Sequence, residues 1–298
     1  MMRHIAFPFL LTFCLWGQDK SPVDLLNVTV PPGARHIAYG SDPLEFGELR
    51  VPAGKGPHPV VVMVHGGCWS AKLGNMPDRV VSLELLHPIT AAFAEMGIAT
   101  WNLEYRRLGN PGGGWPGTFE DVARGADHLR KIARENGLDL TRVVAMGHSS
   151  GGHLAMWLAA RSKLPRTSVL YVKDPLALKG VVDLDGPPDL KATLPLQVPV
   201  CGAPVIVNLM GGTPEEQPQR YREASPAEML PLGVRQEFLA GRMFAAQAPG
   251  YEETAKRAGD TVHTVVMAQA GHFVFLDPGS AAWPEVVKST RALLGLGK

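Results

Sequence analysis

The feature that most constrains this chain is Gly147-His148-Ser149-Ser150-Gly151, because of what surrounds it. An apolar β-branched run (Val143, Val144, Ala145, Met146) leads in, and a helix-compatible run (Gly152-His153-Leu154-Ala155-Met156) leads out. A G-x-S-x-G pentapeptide alone is weak, but between a strand and a helix it describes a turn that lifts a serine hydroxyl above a sheet. The turn is so tight that positions two before and two after the serine must lack side chains. It also sets Ser149 at a helix N-terminus, where backbone N–H groups favour developing negative charge.

A second motif stands upstream. Pro59 to Val64 reads as a strand buried on both faces, and His65-Gly66-Gly67-Cys68-Trp69 follows it directly. Acyl-transfer intermediates need two backbone donors aimed at an oxyanion. One would be the N–H of Ser150, and the other that of Gly67 or Cys68. A base is offered by His272, which follows the strand-like Val265 to Ala268 in Gly271-His272-Phe273. Of the other histidines, His65 better suits orienting the glycine loop, and His148 and His153 belong to the serine turn and its helix. His36, His58, His87, His128 and His263 read as solvated or packed.

Strand and helix signals alternate along the chain. Strands are expected at Leu44–Val51, Pro59–Val64, Ile98–Leu103, Arg142–Met146, Lys179–Leu184, Gln236–Leu239 and Val262–Ala268. Helices are expected at Pro88–Met96, Thr118–Asn136, His153–Ala160, Tyr251–Ala258 and around Ser289–Leu294. Residues 186–233 carry nine prolines and little periodicity, and read as a cap-like insertion rather than a second domain. The density of alternation predicts an α/β fold, a mostly parallel sheet of about eight strands with helices on both faces, in one domain over 21–298.

Composition removes other classes. Lys plus Arg (29) nearly cancels Asp plus Glu (28), so no basic face for nucleic acid is expected. No run reaches the ~20 apolar residues of a membrane span, and no Cys/His spacing suits a metal. No cofactor is expected, and oligomeric state is not legible. Residues 1–20 read as an export segment: Arg3 and His4 precede the apolar Ile5–Trp16, although Leu15-Trp16-Gly17 is a poor cleavage site. A lipoprotein reading through Cys14 suffers from Phe13. Export would make the protein periplasmic or secreted.

The motifs VMVHGGCW (62–69), WNLEYRR (101–107), GGGWPGTFEDV (112–122), GHSSGGHLAMWLAAR (147–161), GGTPEE (211–216) and AGHFVFLDP (270–278) resemble, in content and order, the esterase/lipase branch of the α/β-hydrolase superfamily, including kynurenine-formamidase-like and dipeptidyl-peptidase-like serine hydrolases. The resemblance implies Ser149 as nucleophile, His272 as base, Gly67, Cys68 and Ser150 as oxyanion loop, and structural roles for Tyr105 and Arg106. It implies a small-molecule ester as substrate. An arylformamidase-type activity on an N-formyl amide is the alternative within enzymes.

One part of the family pattern is absent. Relatives carry the triad acid in a loop after the seventh strand, where this chain reads AGRMFAAQAP (240–249), without a carboxylate. Glu252 and Glu253 fall in a helix, and Asp260 lies at the wrong end of a strand. A substitute is Asp185, in VDLDGP (182–187) at the end of strand six, with Asp183 the second choice. Otherwise the chain is a weakened hydrolase-like binding protein. Leu190, Leu194, Leu196 and Val198 are expected to form an apolar wall, and Trp69, Trp115 and Trp157 are aromatic candidates, Trp69 the one placed in substrate binding. Cys68 and Cys201 are expected to be two free, buried thiols; pairing would tie the insertion to the oxyanion loop.

Overall fold

The computed structural model describes residues 20–297. The export-like segment, with Cys14, lies outside the described residues. Eight strands form one sheet in the order β1-β2-β4-β3-β5-β6-β7-β8. They are β1 (Arg35–Ala38), β2 (Phe46–Arg50), β3 (His58–Val64), β4 (Ala99–Leu103), β5 (Leu138–His148), β6 (Gly180–Leu184), β7 (Arg235–Ala240) and β8 (Val262–Val266). β2 runs antiparallel to β1 and β4, and β4, β3, β5, β6, β7 and β8 run parallel to one another.

The continuous apolar run in β3 has the expected cause. Val60, Val62 and Val64 face a core built with Phe119, Val122 and Leu129 of α3 (Gly117–Ile132) and Leu154 of α4 (Ser150–Ala160). Val61 and Met63 face the opposite core, with Leu25 of α1 (Pro22–Leu26), Ile89 and Phe93 of α2 (His87–Glu95) and Val286 and Leu293 of α9 (Trp283–Leu293). Helices therefore cover both faces, and β3 has no solvent side to be polar on. Among the described residues no helix is long and apolar enough to cross a membrane.

Several elements differ from expectation, two of them instructively. Strand β1 was not anticipated; its four residues are exposed or half-buried, so alternation gives no signal. Helix α3 ends at Ile132 rather than Asn136, because the chain turns through Gly137 at φ +58° and the Leu138 N–H returns to the Ala133 carbonyl. Residues 186–233 hold the short helices α5 (Leu190–Cys201), α6 (Val205–Met210) and α7 (Pro218–Ala224), and no strand; α8 (Ala248–Arg257) joins β7 to β8. The parallel order puts the segments after β3, β5, β6 and β8 at one edge of the sheet, where carboxyl ends converge.

Candidate active site

Ser149 is held at φ 56°, ψ −127°, a region that L-residues occupy only when their surroundings compel it. Its flanking glycines are obligatory. A Cβ on Gly147 would sit inside the Gly151 carbonyl, and one on Gly151 would collide with the Val64 and His65 carbonyls. The Ser149 N–H donates to the Leu184 carbonyl (3.0 Å), which pins the turn to the end of β6.

The glycine loop follows the same logic. Gly66 packs on the serine turn, where an added Cβ would lie 2.8 Å from the His148 carbonyl oxygen and 3.0 Å from the Ser149 Cβ. Gly67, Cys68 and Trp69 all have positive φ, 113°, 56° and 52°. Support comes from below: the Tyr105 hydroxyl donates to the His65 carbonyl (2.8 Å), and the Tyr105 ring stacks on His65. His65 has Nδ1 2.7 Å from the Gly66 carbonyl and Nε2 3.1 Å from Glu104 Oε1. Burial opposes ionisation of Glu104, yet His65 and Arg107 together hold its carboxyl below the usual range. Glu104, a lone carboxylate in the strand-end sequence WNLEY, is a supporting residue that the motifs alone did not reveal. Arg106 keeps the structural place expected of it, paired with Asp121 through bonds of 2.6 and 2.8 Å.

Across the turn, His272 Nδ1 lies 2.7 Å from Asp185 Oδ2. Asp185 is fully buried, and its other oxygen accepts the N–H groups of Gly241 (2.7 Å) and Phe244 (3.2 Å). Both donors belong to the carboxylate-free segment after β7. That segment contributes backbone N–H groups that cradle the carboxylate arriving from β6. Gly241 permits the approach, since a Cβ there would lie 2.9 Å from Asp185 Oδ2.

Asp183, two residues earlier, does not reach His272. Its Oδ1 accepts the Gly186 N–H (2.9 Å) and its Oδ2 has no partner. Burial, and then the neighbouring Asp185, push its carboxyl well above the ordinary value and so favour its protonated form. His148 is also buried and neutral: burial, then His272, hold its imidazole well below the ordinary range. With His272's backbone carbonyl 2.8 Å from Nε2, His148 donates there and fixes the histidine loop; its Nδ1 is unpartnered.

A cavity of about 30 Å³ opens beside Ser149, bounded by Trp69, Leu196, Val205 and Phe244. The Trp69 indole N–H donates to His153 Nδ1 (3.2 Å), which fixes the ring plane; burial lowers the His153 pKa to about 4. Of the four expected wall residues only Leu196 lines this space. Leu190 is buried in the core, Leu194 packs beside the core, and Val198 is 53% exposed, because α5 presents Thr193, Gln197 and Val200 instead. Trp115 and Trp157 pack around Phe119, away from the cavity. The cysteines correct a second expectation. Cys68 and Cys201 are not free thiols but a disulfide, Cα atoms 6.0 Å apart, within the reach such a bond needs.

Residues 49–231, more than half of the chain, match the BD-FAE family. No curated protein matches the sequence. Among solved structures, esterase B from Lactobacillus rhamnosis HN001 is 19% identical, with a TM-score of 0.74 over 92% of this chain and 90% of that one. A bacterial heroin esterase is 19% identical, with a TM-score of 0.69 over 93% and 88%. A butyrate-bound thermophilic esterase from the planctomycete Thermogutta terrifontis is 20% identical, with a TM-score of 0.67 over 89% and 94%. The fold is that of the α/β-hydrolases.

Proposed function

The chain belongs to the BD-FAE family, an esterase family of the α/β-hydrolase superfamily, and from that premise we propose that it hydrolyses carboxylic esters through an acyl-enzyme on Ser149. The observation that carries the reading is the 2.7 Å bond between His272 Nδ1 and the buried Asp185, on the same sheet edge as the strained Ser149 turn. Family membership alone would leave the acid unassigned, because the usual position is empty.

In this reading Asp185 keeps the His272 proton on Nδ1, which leaves the Nε2 lone pair for the Ser149 hydroxyl. The hydroxyl oxygen bonds to the acyl carbon, its proton passes to His272, and the carbonyl π-electrons move onto the oxygen. The N–H of Ser150, with that of Gly67 or Cys68, receives that oxyanion. Collapse expels the alcohol, protonated by His272, and water repeats the sequence to free the acid. Burial disfavours charge on both His148 and Asp183, the two ionisable groups beside the His272–Asp185 pair. Trp69 bounds the substrate cavity, and 186–233 acts as the cap over it.

Turnover of short p-nitrophenyl esters by the wild type, abolished in Ser149→Ala together with fluorophosphonate labelling, tests the reading. Labelling that persists in Ser149→Ala would reject it. The disulfide also supports our placement of the protein outside the reducing cytosol, as the N-terminal segment suggests. Recovery of the chain with residues 1–20 intact from the cytosol would contradict that placement.

A further inference from the structure

The Cys68–Cys201 disulfide joins the two walls of the cavity at Ser149. Cys68 sits in the glycine loop at φ 56°, and Cys201 is the last residue of α5, before Gly202 ends the helix at φ 75°. Both cysteines line the cavity, together with Ser149 and Ser150, whereas His272 does not. That asymmetry identifies the part of an ester that enters. The departing alcohol must lie where His272 can protonate it, so the space on the far side, against the glycine loop, takes the acyl group.

Its size is restrictive. The space between the glycine loop and α5 is narrow, about 30 Å³, which favours a short acyl chain over a long one. The wall that sets this limit is weakly built at its far end. The start of α5 is well anchored: Asp189 caps it through the Lys191 and Ala192 N–H groups, and the Leu190 N–H donates to Ser225 Oγ. Further along, Pro195 and Pro199 supply no N–H, and Val198 faces solvent. There Gln197, accepting the Ile206 N–H at 2.9 Å, and the disulfide hold the helix against the site.

Resting on the ester-hydrolase reading above, we propose that the Cys68–Cys201 disulfide is the specificity-determining clamp of the acyl pocket. It restricts the enzyme to esters of short-chain acids, and opening it admits longer acyl chains. Opening by a dithiol is balanced: the Sγ–Sγ bond breaks, each sulfur gains a proton and an electron, and the dithiol becomes a disulfide.

The test compares p-nitrophenyl acetate with hexanoate for oxidised wild type, dithiothreitol-reduced wild type, Cys201→Ala and Leu196→Ala. One misfit methylene costs about tenfold or more in kcat/KM, so the oxidised wild type should favour acetate by at least ~100-fold. Reduction and Cys201→Ala should each shrink that ratio at least ~10-fold, chiefly by raising kcat/KM for hexanoate. Leu196→Ala, which widens the cavity with the disulfide intact, should shrink it too. If Cys201→Ala does not fold, reduction of the wild type reads the same effect. An oxidised enzyme that cleaves hexanoate as well as acetate overturns the inference, as does a ratio unchanged by reduction. In both cases Ser149 remains labelled and ester turnover persists, so the ester-hydrolase reading stands. Loss of both labelling and turnover in the wild type instead refutes that reading, and this inference with it.

Discussion

Replacing Asp185 by Asn changes one buried atom and tests the relocated acid. The carboxylate accepts three hydrogen bonds: the Gly241 and Phe244 N–H groups on Oδ1, and His272 Nδ1 on Oδ2. The amide oxygen of Asn keeps the two backbone donors, so the amide NH₂ must face His272. A donor now opposes a donor, and the ring escapes by carrying its proton on Nε2, where it can no longer accept from Ser149. Such a tautomer switch costs about 10⁴ in turnover in a serine protease, or about 5.4 kcal/mol of barrier. We expect kcat for p-nitrophenyl acetate to fall by about 10³–10⁴, with KM little changed, because substrate contacts are untouched. Fluorophosphonate labelling should slow in parallel, while near-UV circular dichroism stays that of the wild type. Turnover within about tenfold of wild type, in a folded Asp185→Asn protein, would refute the assignment of Asp185 as the acid.

Three further substitutions or titrations follow from the same geometry. Asp183→Asn should keep activity within about threefold, since a neutral carboxyl and an amide of the same shape are exchanged. Its stability relative to wild type should depend on pH: a folded-state pKa raised above about 3.8 costs nothing below that value and progressively more above it, so the variant gains most near neutrality, measurable by urea unfolding at pH 4 and pH 7. His148 and His153, depressed by burial, act in the opposite sense; the unfolded chain binds their protons first, and stability should drain away as pH falls from about 6.5 towards 4, a loss of a few kcal/mol in unfolding titrations. Gly67→Ala sets a methyl 2.7 Å from the Val81 Cβ at a φ of 113°, and the displaced loop should lower kcat by about 10² in the ester assay.

The sequence was most informative where backbone geometry admits few residues. The glycines around Ser149 and in 65–69 are required by carbonyl oxygens that leave no space, so motif and conformation are nearly the same statement. The apolar strands were legible because both faces of the sheet are covered. Asp185 could be singled out as a carboxylate at a strand end beside an acid-free loop, but its distance from His272 depends on β6, β7 and β8 lying side by side. The cavity walls were misread because α5 has two internal prolines and a mixed face, so apolarity did not indicate which side turns inward. Glu104 and His148 gave no signal: each acts through one buried contact formed by residues distant in sequence. The disulfide was ranked behind two free thiols for the same reason, since 133 positions separate its cysteines.

That separation has a thermodynamic consequence for the denatured chain. The covalent ring from Cys68 to Cys201 encloses Ser149 and Asp185, and leaves His272 on the open C-terminal tail. Removing the loop entropy of such a ring from the unfolded ensemble stabilises the native state by about 5 kcal/mol in the chain-entropy description. That is comparable with the whole net stability of many domains of this kind. The bond that shapes the acyl pocket thus also keeps the unfolded chain compact, with nucleophile and acid inside one closed loop and only the base arriving from outside it.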